Sequence, residues 1–186
     1  FMRDIDPLLA QHDLMLGSVP ASRALCTIGG MVGNNSGGEQ SLRYGNTQRW
    51  VREITVVLGD GKAYVVKPLT KRQLDAKIAQ DTYEGRLYKR IYQLIEANYD
   101  LIKNARPKVN KNSMGYNLWD VCDRGTQIFD LTHLFSGSQG TLGVITDLKM
   151  EAVKKPKHSG LLLAYLTSSK HLGEIIPAVM KHQPAT

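Results

Sequence analysis

Thr27-Ile28-Gly29-Gly30-Met31-Val32-Gly33-Asn34-Asn35-Ser36-Gly37-Gly38 holds five glycines in 12 residues, a density that suits a backbone pressed against a ligand. Without a Cβ, glycine lets main-chain N–H groups close on a pyrophosphate and adopt positive φ. A plain mobile loop has the same composition, so composition leaves both readings open. A second loop runs Gly137-Ser138-Gln139-Gly140-Thr141-Leu142-Gly143. The first is not the GxGxxG fingerprint of a nicotinamide-binding fold, and no Gly-Lys-Ser/Thr closes the second as a nucleoside triphosphate loop would require. One ligand touched by both would explain them together.

Other chemistry-bearing types are sparse. Cys26 and Cys122 have no CxxC spacing, and His12, His133, His158, His171 and His182 lack metal-ligand spacing such as HExxH. No metal is expected, and two unpaired thiols fit a reducing compartment. No His, Ser or Cys forms a nucleophile with its base. Trp50, at a strand start, reads as core rather than a stacking platform for a ligand, and His133 as lining a short helix.

The net charge of +7 makes nucleic acid or an anionic small molecule the first partners to consider. The excess is local, in Lys103, Arg106, Lys108 and Lys111 and in Lys149, Lys154, Lys155 and Lys157, and reads as solvated faces. Aromatic residues make up 7%, with no spacing that interleaves them with the basic ones. Nucleic acid is therefore not expected as a partner. No apolar stretch approaches the roughly 20 residues of a bilayer span, and Phe1-Met2-Arg3-Asp4 lacks the profile of a secretion signal, so neither anchor nor export is expected.

The elements that must position the loops follow from periodicity. Asp4 to Gln11 reads as a short helix, and the segment from Pro20 to Gly45 as loop. Trp50 to Leu58, the Gly59-Asp60-Gly61 turn and Ala63 to Val66 predict a β-hairpin. Leu87, Ile91, Leu94, Ile95, Leu101 and Ile102 recur at helical period and predict one helix over Glu84 to Asn104, closed by Pro107. Tyr88, Tyr92 and Tyr99 read as its partly buried face. A basic loop then runs to Leu118, a short helix covers Leu131 to Phe135, and a strand covers Val144 to Val153. Lys154-Lys155-Pro156-Lys157 reads as a linker, Leu161 to Leu166 as a strand and His171 to Lys181 as a helix. One strand and one helix cannot bury a core, so both chain ends read as cut and the C-terminus as the opening of a further domain.

The ordered segments PASRALCTIGGMVGNNSGG, RYGNTQRWVREITVVLGDG, KNSMGYNL and DLTHLFSGSQGTLGVIT resemble the FAD-linked oxidases of the vanillyl-alcohol-oxidase (PCMH) type. Within that superfamily they are most similar to the D-lactate and D-2-hydroxyglutarate dehydrogenase branch. The resemblance implies an α+β fold: the second subdomain of a PCMH-type FAD-binding domain, mainly antiparallel sheet flanked by helices, plus the start of a cap domain. It divides the chain into 1–22 (end of the first FAD subdomain), 23–155 (second subdomain) and 156–186 (beginning of the cap).

It also implies non-covalently held FAD. Pro20 and Ser22 match the proline-serine segment along the cofactor, and Thr27, Ile28, Gly29 and Gly30 match the turn whose backbone touches it. Asn35, Ser36 and Gly38 match the positions that follow, and Gly140, Gly143 and Val144 match contacts of the second loop. Gln139 stands where the family usually has glutamate. Lys111, Asn112, Tyr116 and Asn117 match a loop that could meet the carboxylate of a substrate, although Tyr116 packing and Lys111 solvated remain the plainer reading.

The implied function is a flavin-dependent oxidoreductase taking a D-2-hydroxy acid to the 2-oxo acid and passing electrons to an acceptor. The family's catalytic base lies largely in the cap, so this chain is expected to be inactive alone and weakened in FAD affinity, because no RGGGT-type pyrophosphate loop occurs in it. The implied location is cytoplasmic, with peripheral membrane attachment of the parent protein as a variant. Two alternatives remain: an alcohol or sugar-lactone oxidase of the same superfamily, and a non-enzymatic basic binding module.

Overall fold

A computed structural model describes residues 1–109 and 111–185. The chain is α+β, and among the described residues there are three small sheets in which every strand pairing is antiparallel. The central sheet is built on strand β2 (Val51–Val57), whose Val51, Ile54 and Val56 are buried. The predicted hairpin forms: β2 pairs with β3 (Ala63–Val66) through Thr55↔Val65. On its other side β2 pairs with β7 (Val144–Met150), with Ile54 opposite Leu148. That pairing carries the second glycine loop to the sheet.

A hydrophobic core lies between this sheet and the helices α4 (Lys71–Ile78) and α5 (Tyr83–Ala97), with Leu74, Tyr88 and Ile95 buried in it. Tyr88 and Tyr92 both meet Phe129, as expected of a packing face. The strands β4 (Leu69–Thr70), β5 (Cys122–Asp123) and β6 (Ile128–Phe129) form the second sheet, in the order β4-β6-β5. Helix α4 begins on a capping box between Thr70 and Gln73, and Thr82 caps α5 by accepting the Gly85 N–H at 3.0 Å.

The predicted helix over Glu84 to Asn104 is two helices. It breaks at Asn98 (φ −125°, ψ 24°), and α6 (Tyr99–Asn104) follows. Asn98 Nδ2 donates to the Leu94 carbonyl at 2.9 Å, so the side chain competes for a helical acceptor as asparagine tends to do. The lysine-arginine run after it is not simply solvated: Lys103 Nζ donates to the Trp119 carbonyl at 2.6 Å, and Arg106 pairs with Asp120 at 3.5 Å.

The N-terminal helix α1 (Met2–Ala10) and strand β1 (Leu14–Leu16) make a smaller core in which Met2, Leu16 and Met31 are buried. Strand β1 pairs with β8 (Ala152–Lys154), so the strand expected over Val144 to Val153 is divided between two sheets at Glu151.

Leu161 to Leu166 is not a strand. No partner strand meets it among the described residues, and Leu162 is 87% exposed; strand propensity alone does not replace a sheet edge to pair with. Helix α8 (Leu172–Met180) forms with Pro177 inside it, and none of its residues is buried. Among the described residues, no helix is long and apolar enough to cross a membrane.

Candidate functional site

The segment expected as loop from Pro20 to Gly45 contains two short helices, α2 (Ile28–Gly33) and α3 (Ser41–Tyr44). Thr27 stands extended ahead of α2, and its hydroxyl accepts the Gly30 N–H at 3.1 Å. The N–H groups of Ile28 and Gly29, in the first turn, have no intrahelical acceptor. A Cβ at Gly29 or Gly33 would meet nothing within 4 Å, so bare backbone faces open space there. Ile28 instead packs toward Met2, Leu16 and Met31.

Beyond α2 the chain turns back through Asn35, a buried residue at φ +43°, a conformation asparagine tolerates better than most. Both ends of its amide are used: Asn35 Nδ2 donates to Gln48 Oε1 at 3.0 Å, and the Gln48 N–H donates to Asn35 Oδ1 at 3.0 Å. The Ser36 carbonyl accepts from the Ser18 hydroxyl and the Thr47 hydroxyl, both at 2.7 Å. Gly38 is obligatory on steric grounds, since a Cβ there would stand 1.7 Å from the Val19 carbonyl oxygen and 3.2 Å from Pro20 Cα.

The second loop follows α7 (Thr132–Phe135) and has Gly137, Gln139 and Gly140 at positive φ. The Gly137 N–H donates to the Val32 carbonyl at 2.9 Å, and the Gln139 N–H to the Gly33 carbonyl at 2.8 Å. The two glycine loops are thus stitched edge to edge. Gly143 sits where a Cβ would come within 2.6 Å of Val56, while Gly140 faces open space. Val144 leads into β7 with its side chain exposed.

The third loop joins them. Asn117 is buried and donates through Nδ2 to Gln48 Oε1 at 3.0 Å and to Asp120 Oδ2 at 2.9 Å. Asn46 Nδ2 donates to the Asn112 carbonyl at 3.0 Å, and Asn112 makes a local turn with Met114. The Tyr116 hydroxyl bonds the Thr141 hydroxyl at 2.8 Å, tying this loop to the second glycine loop. Lys111 Cε lies 3.0 Å from where a Gly37 Cβ would stand.

Thr27 to Gly30, Asn35 to Gly38, Gly140, Asn112, Tyr116 and Asn117 are therefore brought into one neighbourhood. Pro20 and Ser22 lie to one side. Pro20 is buried against Gly38 and lines a separate groove of about 620 Å³ with α1 and Lys155, and the Ser22 carbonyl accepts the N–H groups of Leu25 and Cys26. Trp50 is core, as expected, donating to the Tyr44 carbonyl at 3.0 Å.

A cavity of about 330 Å³ opens beneath the stitched loops, lined among others by Asn35, Gln48, Asn112, Asn117, His133 and Gly137. Gln48, the acceptor shared by Asn35 and Asn117, was not singled out in the sequence. Its signal is an amide two positions before a buried tryptophan, in a chain whose other loops also carry amides. Among the described residues no three His, Cys, Asp or Glu side chains are grouped to hold a metal ion. Cys122 is not an activated thiol, since burial, and then the Glu96 carboxylate, push its pKa up.

These features fit a dinucleotide. Bare backbone at Gly29, Gly33 and Gly140 faces open space, with the unbonded first-turn N–H groups of α2 beside it, as close approach of a pyrophosphate requires.

Known proteins agree. Residues 2–67 match the family model described as FAD binding domain. The chain is 34% identical over 131 residues to D-2-hydroxyglutarate dehydrogenase of Escherichia coli (strain K12), covering 70% of this chain and 13% of that protein. It is 27% identical over 180 residues to the protein of that name from Pseudomonas putida, covering 97% of this chain and 18% of that one. It is 30% identical over 145 residues to glycolate oxidase subunit GlcD of Bacillus subtilis, covering 78% of this chain and 20% of that protein. The chain spans less than a fifth of the length of the first two relatives. Over residues 2–67 the chain is similar to FAD binding domains, and the relatives it resembles are D-2-hydroxyglutarate dehydrogenases and a glycolate oxidase subunit.

Proposed function

We propose that this chain is the FAD-holding part of an oxidoreductase that takes a D-2-hydroxy acid to its 2-oxo acid. The observation that carries the reading is the stitching of the two glycine loops by Gly137 to Val32 and Gln139 to Gly33, which makes one continuous face of two distant segments. In this reading the backbone of Thr27 to Gly30 takes the pyrophosphate, with Gly29 bare so that the ligand can approach. Asn35, Ser36 and Gly38 hold the turn beside it, and Gly140, Gly143 and Val144 border the other side. Pro20, which lines the groove beside α1, and Ser22 flank the cofactor. Bound flavin supplies the two-electron acceptor.

Substrate contacts are assigned to the third loop. Asn112 and Asn117 line the cavity, and Lys111 and Tyr116, beside them in the chain, are the charge and hydroxyl donors for a carboxylate. The proposed domain division remains 1–22, 23–155 and 156–186, with α8 and its exposed apolar residues in the third part. The electron acceptor is a separate partner.

The test is spectroscopic. FAD-loaded chain is mixed in turn with D-lactate, D-2-hydroxyglutarate, a primary alcohol and a sugar lactone, and the visible flavin spectrum is followed. Perturbation by the D-hydroxy acids alone supports the reading. Perturbation by the alcohol or the lactone alone would move the assignment to that branch of the superfamily. Salt-sensitive DNA binding with no flavin uptake would instead mark a basic binding module.

A further inference from the structure

The side-chain amide of Gln48 is held in one orientation by its neighbours. The Gln48 N–H donates to Asn35 Oδ1 at 3.0 Å and the Asp120 N–H donates to Asn117 Oδ1 at 3.2 Å, so backbone donors fix which end of each asparagine amide is the oxygen. The Nδ2 groups of Asn35 and Asn117 are then donors, and both donate to Gln48 Oε1 at 3.0 Å. With two donors on its oxygen, the amide is left with Nε2 as its open end. Among the described residues that NH2 donates to nothing, and in this half-buried side chain it is not sealed from solvent.

Gln48 lines the cavity of about 330 Å³ together with Asn35 and Gly137, from the two glycine loops, and Asn112 and Asn117, from the third loop. Asp120, the one carboxylate on its lining, already accepts from Asn117 at 2.9 Å and pairs with Arg106 at 3.5 Å. A fixed donor that opens on a cavity matches a ligand that presents acceptors, because such a ligand replaces water there without loss of a hydrogen bond. The isoalloxazine edge of FAD presents them, in its carbonyl oxygens and unprotonated ring nitrogens. A cavity of this size takes a ring system and not a whole dinucleotide. Hydride passes only between groups in contact, and Asn112 and Asn117, assigned above to the substrate, line this same cavity. The flavin end of the cofactor therefore belongs here, rather than the adenine end.

We propose that Gln48 is a cofactor-binding residue whose Nε2 donates to the edge of the flavin ring, with Asn35 on the first glycine loop and Asn117 on the third setting its orientation. This role rests on the FAD reading above and adds a contact to it. One amide then joins the grip on the pyrophosphate to the loop that meets the substrate.

Gln48→Glu separates this role from a structural one. A carboxylate oxygen still accepts from Asn35 and Asn117, while the second oxygen puts an acceptor in place of the donor. In calorimetric titration of the 186-residue chain, Gln48→Glu should bind FAD about tenfold more weakly than the wild type and ADP within about twofold of it. Gln93→Glu makes the same change at an exposed position of α5 and should alter neither. Equal FAD affinity in Gln48→Glu and the wild type overturns the proposal, as does equal loss of FAD and ADP, which would move the contact away from the flavin end. Nuclear magnetic resonance of the isotope-labelled wild-type chain needs no variant. The Gln48 side-chain NH2 signals should move with FAD and not with ADP, and signals unmoved by bound FAD overturn the proposal. In each of these failures FAD is still bound, so the cofactor reading stands and Gln48 alone leaves it. No FAD uptake by the wild-type chain overturns the cofactor reading, and this role with it.

Discussion

The N–H of Gly137 reaches the carbonyl of Val32 at 2.9 Å, and through that bond the second glycine loop is registered against the first. Both partners are backbone atoms, so no side-chain pattern records the contact. Its consequence is that the two loops share one edge, which the Gln139 N–H to the Gly33 carbonyl extends.

Gly38→Ala places a methyl group 1.7 Å from the Val19 carbonyl oxygen, with backbone on both sides and no flexible side chain to yield. The cost should be about 3 kcal/mol, at the upper end of overpacking. Urea unfolding followed by circular dichroism reads it directly, and an unchanged midpoint would show that the approach of Gly38 to Val19 is not close in solution.

Gln48→Leu removes the one oxygen that accepts from both Asn35 and Asn117. Two side-chain amides are then left short of a partner, at about 1 to 3 kcal/mol for a buried unsatisfied group. Hydrogen exchange should quicken in residues 112 to 117 as well as around Asn35. Faster exchange at only one of the two sites would separate loops described here as coupled.

Thr27→Ala deletes the hydroxyl that accepts the Gly30 N–H, and should cost about 1 kcal/mol. Thr27→Ser should recover most of it. Equal stability of the alanine and serine variants would mean that the cap contributes nothing.

Thiol labelling orders the cysteines. Cys26 is half-buried, whereas Cys122 is buried with its pKa pushed up, first by that burial. Iodoacetamide at neutral pH should modify Cys26 well before Cys122, and raising the pH should speed Cys122 as its thiolate appears. Labelling of Cys122 first would contradict its burial.

The parts legible in the sequence are those written in periodicity or in glycine. The β2–β3 hairpin followed from Val51, Ile54, Val56 and the Gly59-Asp60-Gly61 turn, and the glycine density of residues 27 to 38 drew attention to the face that is bare backbone in the fold. Asn98 could not be foreseen as a break, because Leu94 and Leu101 keep the helical period across it while its side chain takes the Leu94 carbonyl. Nor could the loss of a strand at Leu161 to Leu166, where composition favours extension but no edge is offered.

The cavity was the least legible feature. Arg49, Gln48, Arg106 and His133 come from three separate segments, and only the fold brings them around one cavity. Within the sequence Arg106 belonged to a basic run read as solvated, which its pairing with Asp120 corrects, and His133 to a short helix that does form, and neither suggested the other.

The most direct measurement is FAD titration of the wild-type chain and of Gly29→Ala, read beside their unfolding midpoints. A Cβ at Gly29 meets nothing within 4 Å in the protein itself, and alanine is the better helix former by about 0.5 to 1 kcal/mol, so the variant should be at least as stable. If the bare backbone is there for the cofactor, the wild-type chain takes up FAD saturably and the more stable variant binds it about tenfold more weakly. Equal FAD affinity in the two chains, or no flavin retained by the wild type after desalting, would contradict the central claim that these glycines form the cofactor's grip.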